Sequence, residues 1–132
     1  MAAVLDTHAA VWYLLDSKKL SEAAYCLIDN AASRGTPAYI SAISLVEIVY
    51  LVERGRIAGD AFDVFVRALD REDPALEVVP LNSEIADSLR QIPRALVPDM
   101  PDRIIAATAL HLKVPLISRD RKLQAAGIET VW

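Results

Sequence analysis

The sequence predicts an α/β fold, a three-layer sandwich in which a mainly parallel five-stranded sheet carries helices on both faces. Three observations lead there. Five short apolar runs, each ending in a polar residue, recur along the chain. Longer segments of helical period separate them. Parallel strands also need crossover connections long enough to hold such helices. The 132 residues are 54% hydrophobic and 24% charged, which is material for one ordinary core and not two. Residues 1–132 are therefore read as a single domain.

Taken in order, the first strand falls at residues 2–5, and Asp6 closes it. A helix over 8–15 follows, then a second over 21–33 that Gly35 ends. Residues 37–40 make the second strand. The helix over 43–54 is apolar nearly all round as far as Leu51, so it should pack on more than one side, with a second subunit as one partner. Gly55 ends it. A helix over 60–71 leads to the third strand at 76–79. Within 83–91, Ile85, Ala86 and Leu89 share one stripe while Glu84, Asp87, Ser88 and Arg90 face elsewhere, the pattern of a surface helix. A helix over 102–113, the fourth strand at 114–117, a short helix near 121–126 stopped by Gly127, and a last strand at 128–131 complete the reading.

Several classes fall away. The start carries no basic segment, Asp6 interrupts its apolar stretch, and no later apolar run reaches the roughly 18 to 20 residues of a membrane span. A cytoplasmic protein with no membrane contact is expected. Cys26 is the only cysteine, so no disulfide forms within the chain, and it reads as a small apolar side chain. His8 and His111 have no nucleophile or ligand spacing that makes sense of them, and with Cys26 they make a poor zinc set. They are read as structural or exposed. No glycine-rich phosphate loop and no nucleophile elbow occurs.

The acids at strand ends remain. In open α/β sheets ligands bind beyond the carboxyl ends of the strands. Asp6 follows the first strand at once, and Asp120 follows the fourth after only Ser118 and Arg119. Glu47 interrupts an apolar helix, and Asp102 precedes another in Pro98-Asp99-Met100-Pro101-Asp102-Arg103. If those helices start at the same sheet edge, four carboxylates converge. Packed carboxylates repel, and a cation relieves them. An all-oxygen set suits Mg²⁺ or Mn²⁺, and an ion so held can drive phosphodiester hydrolysis. Each acid also has a plainer role. Asp6 can end a strand in a turn, Ser44-x-x-Glu47 matches a capping box, and Asp99 and Asp120 can cap the helices that follow them.

Four stretches carry a resemblance that spans nearly the whole chain: Val4-Leu5-Asp6-Thr7, Ser41-Ala42-Ile43-Ser44-Leu45-Val46-Glu47-Ile48, Asp102-Arg103-Ile104-Ile105-Ala106-Ala107-Thr108-Ala109, and Leu116-Ile117-Ser118-Arg119-Asp120. In order and spacing the chain resembles the PIN-domain family, and within it the VapC-type toxins of bacterial toxin-antitoxin pairs. That resemblance implies a metal-dependent endoribonuclease with Asp6, Glu47 and Asp102 as its metal-binding and catalytic core, completed by Asp120. Thr7 and Ser118 would hydrogen-bond the acids or water at the metal. It implies an RNA substrate, hydrolysis that leaves a 5′-phosphate and a 3′-hydroxyl, and a small antitoxin that blocks the site. One departure stands out: relatives commonly place Pro directly after the first Asp, whereas here the order is Asp99-Met100-Pro101-Asp102. Asp99 is thus a possible ligand beside the favoured Asp102.

The net charge of −4, from 14 Lys and Arg against 18 Asp and Glu, runs against the basic character usual in nucleic-acid binders. Setting the four site acids aside leaves 14 against the 14 bases. Ten of those bases are Arg, whose planar fork suits phosphate. Arg103, Arg119 and Arg121 are the leading candidates for RNA contact, with Arg54 and Arg56 nearby. Two rivals predict different features. A phospho-accepting receiver domain would pair acids after the first strand, where this chain has Thr7 and His8. A non-catalytic interaction module would keep the fold without needing every acid. The apolar helix and the Trp12-Tyr13 pair point to a homodimer or an antitoxin groove.

Overall fold

The computed structural model describes residues 2–71 and 75–132. Five parallel strands form one sheet in the order β3-β2-β1-β4-β5. They are β1 (Val4–Leu5), β2 (Ala38–Ser41), β3 (Leu76–Val79), β4 (Leu116–Ile117) and β5 (Thr130–Val131). The helices are α1 (Thr7–Leu14), α2 (Glu22–Ser33), α3 (Ala42–Glu53), α4 (Ala61–Leu69), α5 (Ser83–Ser88), α6 (Met100–Leu112) and α7 (Arg121–Ala125). The expected α/β sandwich is what forms.

Alternation along the strands builds both faces of the sheet. In register, Leu5 lies between Ile40 and Ile117, while Val4 lies between Tyr39 and Leu116. The Leu5 row packs with Ile28 of α2, Ile48 of α3 and Phe65 of α4. The Val4 row packs with Ile85, Ile105 and Leu123 under α5, α6 and α7. Six consecutive residues of α6, Ile104 to Ala109, are buried, and the alanines among them let this helix sit close to the sheet. Thr108 disposes of its hydroxyl by donating to the Ile104 carbonyl at 2.8 Å.

The structure refines several boundaries. The last two strands keep only two ladder residues each, because their first halves run outside the pairing. The predicted helix over 83–91 stops at Ser88 and tightens into a 3₁₀ turn at Leu89–Gln91. The helix expected to begin at Asp102 begins at Met100, capped by Asp99, whose carboxylate accepts from the Asp102 amide at 3.1 Å. It ends on Lys113 in the left-handed region, φ 57°. Gly35, Gly55 and Gly127, read as helix stops, all have positive φ.

Helix α3 starts earlier than the Ser44-x-x-Glu47 capping box requires. Ser41 is its cap, accepting from the Ile43 amide, so Ser44 is buried inside the helix and Glu47 lies well past its first turn. The helix contacts α1, α4 and α6, as its apolar sequence predicts, yet Val46, Val49 and Tyr50 stay exposed. Among the described residues no helix is long and apolar enough to cross a membrane.

Candidate active site

Because the strands are parallel, all their carboxyl ends open on one edge. β1 is central, with β2 on one side and β4 on the other, and connections diverge there to opposite faces, which leaves a crevice. Asp6 leaves β1 into this crevice. It caps α1, accepting from the Ala9 amide at 2.8 Å. Asp120 follows β4 and caps α7, accepting from the Lys122 amide at 2.9 Å. Asp102 stands in the first turn of α6. The three acids line a single cleft of about 520 Å³ together with His8, Trp12, Arg119, Arg121 and Trp132. Glu47 and Asp99 line an adjoining groove with Ile43, Val46, Tyr50, Leu51, Arg54, Met100 and Pro101.

Thr7 and Ser44 join the two sets. Thr7 Oγ1 donates to Glu47 Oε1 at 2.6 Å and lies 3.0 Å from Ser44 Oγ. A hydroxyl has one proton to give, so Ser44 donates to Thr7 and Thr7 to Glu47. Both hydroxyl residues are buried. On the other side, Ser118 is buried; it accepts from the Asp120 amide at 3.1 Å, and its hydroxyl bonds to Asp6.

Burial and charge crowding both act on the acids. Burial raises the pKa of Asp6, against the pull of the Ser118 hydroxyl and the Ala9 amide. Burial raises Glu47 as well, with Thr7 opposing and Asp99 adding repulsion. Asp102 is pushed up to about 7, first by burial and then by repulsion from Asp99, Glu47, Asp120 and Asp6. Four carboxylates therefore act on the fifth, Asp102, and favour its protonated form unless a cation takes the proton's place.

The oxygen-only donors and the excess negative charge fit Mg²⁺ or Mn²⁺. Among the described residues, no three His, Cys, Asp or Glu side chains form a group that could hold an ion directly between them as they stand.

The arginines divide. Arg119 and Arg121 line the cleft. Arg103 does not: its guanidinium donates to the carbonyls of Leu89 and Ile92, both at 2.8 Å, and its buried Nε has no partner. The expectation that it contacts RNA is corrected, since the group is spent tying α6 to the turn after α5. Arg54 lies over the Tyr50 ring at 5.7 Å. Arg56 lines a further groove with His8, Trp12 and Lys19. The sequence reading missed Ser44 as a partner of Thr7 and passed over His8, Trp12 and Trp132 as cleft residues. The signal for Ser44 was present: a serine three residues before Glu47 in an apolar helix shares its face.

The fold is a parallel α/β sheet with carboxylates gathered at its carboxyl edge, and the signature of the PIN domain matches residues 3–129. The chain belongs to the PIN domain family. It is 30% identical over 122 residues to ribonuclease VapC22 of Mycobacterium tuberculosis, an alignment that covers 92% of this chain and 89% of that protein. Among solved structures it resembles VapBC2 from Rickettsia felis bound to a promoter DNA fragment, with a TM-score of 0.73, 18% identity, and 99% and 98% of the two chains covered. It also resembles FitAcB from Neisseria gonorrhoeae, with a TM-score of 0.68, 22% identity, and 100% and 97% covered.

Proposed function

We propose that the chain is a Mg²⁺- or Mn²⁺-dependent endoribonuclease, the toxin of a toxin-antitoxin pair. The observation that carries this reading is the gathering of Asp6, Asp102 and Asp120 in one cleft with Glu47 and Asp99 beside it, where burial first and then their repulsion raise the Asp102 pKa to about 7. Membership of the PIN family and the 30% identity to a named ribonuclease support it.

Asp6, Glu47, Asp102 and Asp120 would hold the ion, with Asp99 as the cap that fixes the Asp102 backbone. When bound, the ion supplies positive charge to the phosphoryl oxygens and makes water acidic enough to attack. The chain's own residues do the rest. Thr7 fixes one oxygen of Glu47, so the other is aimed. Ser118 holds Asp6 and the Asp120 backbone in one unit. Arg121, exposed at the rim, draws the strand toward a cleft that would otherwise repel it.

The partner is an antitoxin. The groove beside Glu47 is lined by exposed Val46, Tyr50 and Met100 with Arg54 at its side, and an amphipathic segment laid there covers Glu47 and Asp99. The solved structures that this chain resembles include toxin-antitoxin complexes, which supports that reading. A homodimer is also expected, with cytoplasmic RNA as the substrate.

The test is cleavage of single-stranded RNA by wild type and Asp102→Asn, each with Mg²⁺ or Mn²⁺ and with chelator. Cutting that needs the ion, leaves 5′-phosphate ends and vanishes in the variant is the expected result. Ion-independent cutting, or equal cutting by the variant, would overturn the assignment. A non-catalytic module would bind RNA or antitoxin with no cutting at all.

A further inference from the structure

The cleft is lined by aromatic rings as well as by acids. Trp12 of α1 meets Trp132, just past β5, edge to face with ring centroids 5.8 Å apart and planes at 64°. His8 lies 5.5 Å from the Trp12 ring. Arg119 extends over Trp12, its guanidinium carbon 4.8 Å from the ring centroid. These four line the same cleft as Asp6, Asp102 and Asp120. The chain has two tryptophans, and both are here.

Arg119 is exposed and, among the described residues, makes no ion pair although Asp120 is its neighbour. Its guanidinium is instead held over an indole. A guanidinium is planar and can stack on both faces; this one lies over Trp12, is exposed and lines the cleft, which leaves it open to a second planar group. Unpaired bases stack on aromatic rings and on arginine planes, whereas a base within a duplex has both faces already covered. The groove that adjoins this cleft shares His8, Trp12 and Arg119 and continues past Lys19 and Arg56. It offers positive charge with no acid in its lining.

We infer that Arg119, stacked on Trp12 and backed by Trp132, is a platform for one unpaired nucleobase beside the scissile phosphate, with the flanking strand led away past Lys19 and Arg56. The inference rests on the nuclease reading of the acids. It assigns Arg119 a base to stack on rather than a phosphate to neutralise, and makes the platform the element that selects single strands.

The experiment pairs a protein change with a substrate change. A single-stranded oligoribonucleotide is compared with copies carrying one abasic residue on either side of the mapped cut, using wild type, Arg119→Lys and Trp12→Phe. Arg119→Lys keeps the charge and loses the plane. One abasic position should lower kcat/KM on the order of ten-fold. Arg119→Lys should do the same on the intact strand and add little on the abasic one, because both remove a single contact. Trp12→Phe, which leaves a smaller ring under Arg119, should fall between wild type and Arg119→Lys on the intact strand. If Arg119→Lys cuts like wild type, or its loss multiplies with the abasic loss, Arg119 is a phosphate contact and the platform is overturned. Tryptophan fluorescence of Asp102→Asn in Mg²⁺ reports the platform independently of cutting. Quenching by the intact strand and not by the abasic one, with no cleavage by wild type, keeps the platform and fails the nuclease reading. Cleavage by wild type with no such quenching does the reverse.

Discussion

Thr7 and Glu47, 40 residues apart in the chain, are joined by a 2.6 Å hydrogen bond from the threonine hydroxyl to the glutamate. The bond couples the start of α1 to the middle of α3, so it closes the cleft floor across two elements. It also opposes the burial that raises the Glu47 pKa.

Replacing Thr7 by Val keeps the shape and removes the donor. Glu47 then takes up a proton more readily, and Ser44 loses its acceptor. Cleavage should fall on the order of ten-fold or more, and stability by about 1–3 kcal/mol for the stranded polar groups. Thr7→Ser should restore most of both, as measured by initial rates and urea unfolding. Equal effects of Val and Ser would mean that packing of the methyl group matters and the hydroxyl does not.

The raised Asp102 pKa makes a prediction about stability. Its folded value, about 7, lies above the ordinary 3.8, so the folded state binds this proton more tightly than the unfolded chain. The stabilisation is complete below about 3.8 and is lost as pH climbs through about 7. Metal-free protein should therefore lose stability between pH 5 and pH 8 on this account. Asp102→Asn should flatten that part of the Tm profile and melt higher than wild type at pH 8. A profile unchanged by the substitution would remove Asp102 as the crowded group.

Protons and cations compete for the same carboxylates. Adding Mg²⁺ or Mn²⁺ should raise Tm more at pH 8, where Asp102 is charged, than at pH 5.5, where it holds a proton. Chelator should reverse the shift. Calorimetric titration at the two pH values checks the sign, and tighter binding at the lower pH would contradict the site.

Arg103 and Arg121 should separate stability from activity. Arg103→Met abandons two carbonyl oxygens bonded at 2.8 Å and should cost about 2–3 kcal/mol, because hydrogen bonds to charged groups are the strong ones. Its effect on cleavage of folded protein should be small. Arg121→Ala, at an exposed position of the cleft rim, should leave Tm in place and weaken RNA binding, most of all at low salt.

The layered fold was legible because strand alternation and helix period both leave marks in local sequence. Leu5 and Val4 face opposite layers, as neighbours in a strand must. Boundaries were less legible where two local solutions compete: Ser41 and Ser44 both look like caps, and only packing of the helix on the sheet selects Ser41. Arg103 misled for a geometric reason. It adjoins Asp102 in sequence, but successive residues on a helix point about 100° apart, so the neighbour of a cleft residue faces elsewhere. Crowding of the acids at one sheet edge could be anticipated from strand ends. The meeting of Trp12 with Trp132 could not, since nothing local connects residues at opposite ends of the sequence.

The cleft wall that holds Asp120, Ser118 and Trp132 hangs on β4 and β5, each of two residues, and β5 is the outermost strand on its side. So short an edge is the part of the sheet that opens first. Fraying of β5 carries off Trp132 and bares the side of β4 from which Ser118 and Asp120 leave, while β1, β2 and β3 stay paired. Function in this molecule is thus less durable than its fold. On gentle heating a population that is still native by far-ultraviolet dichroism should already have stopped working.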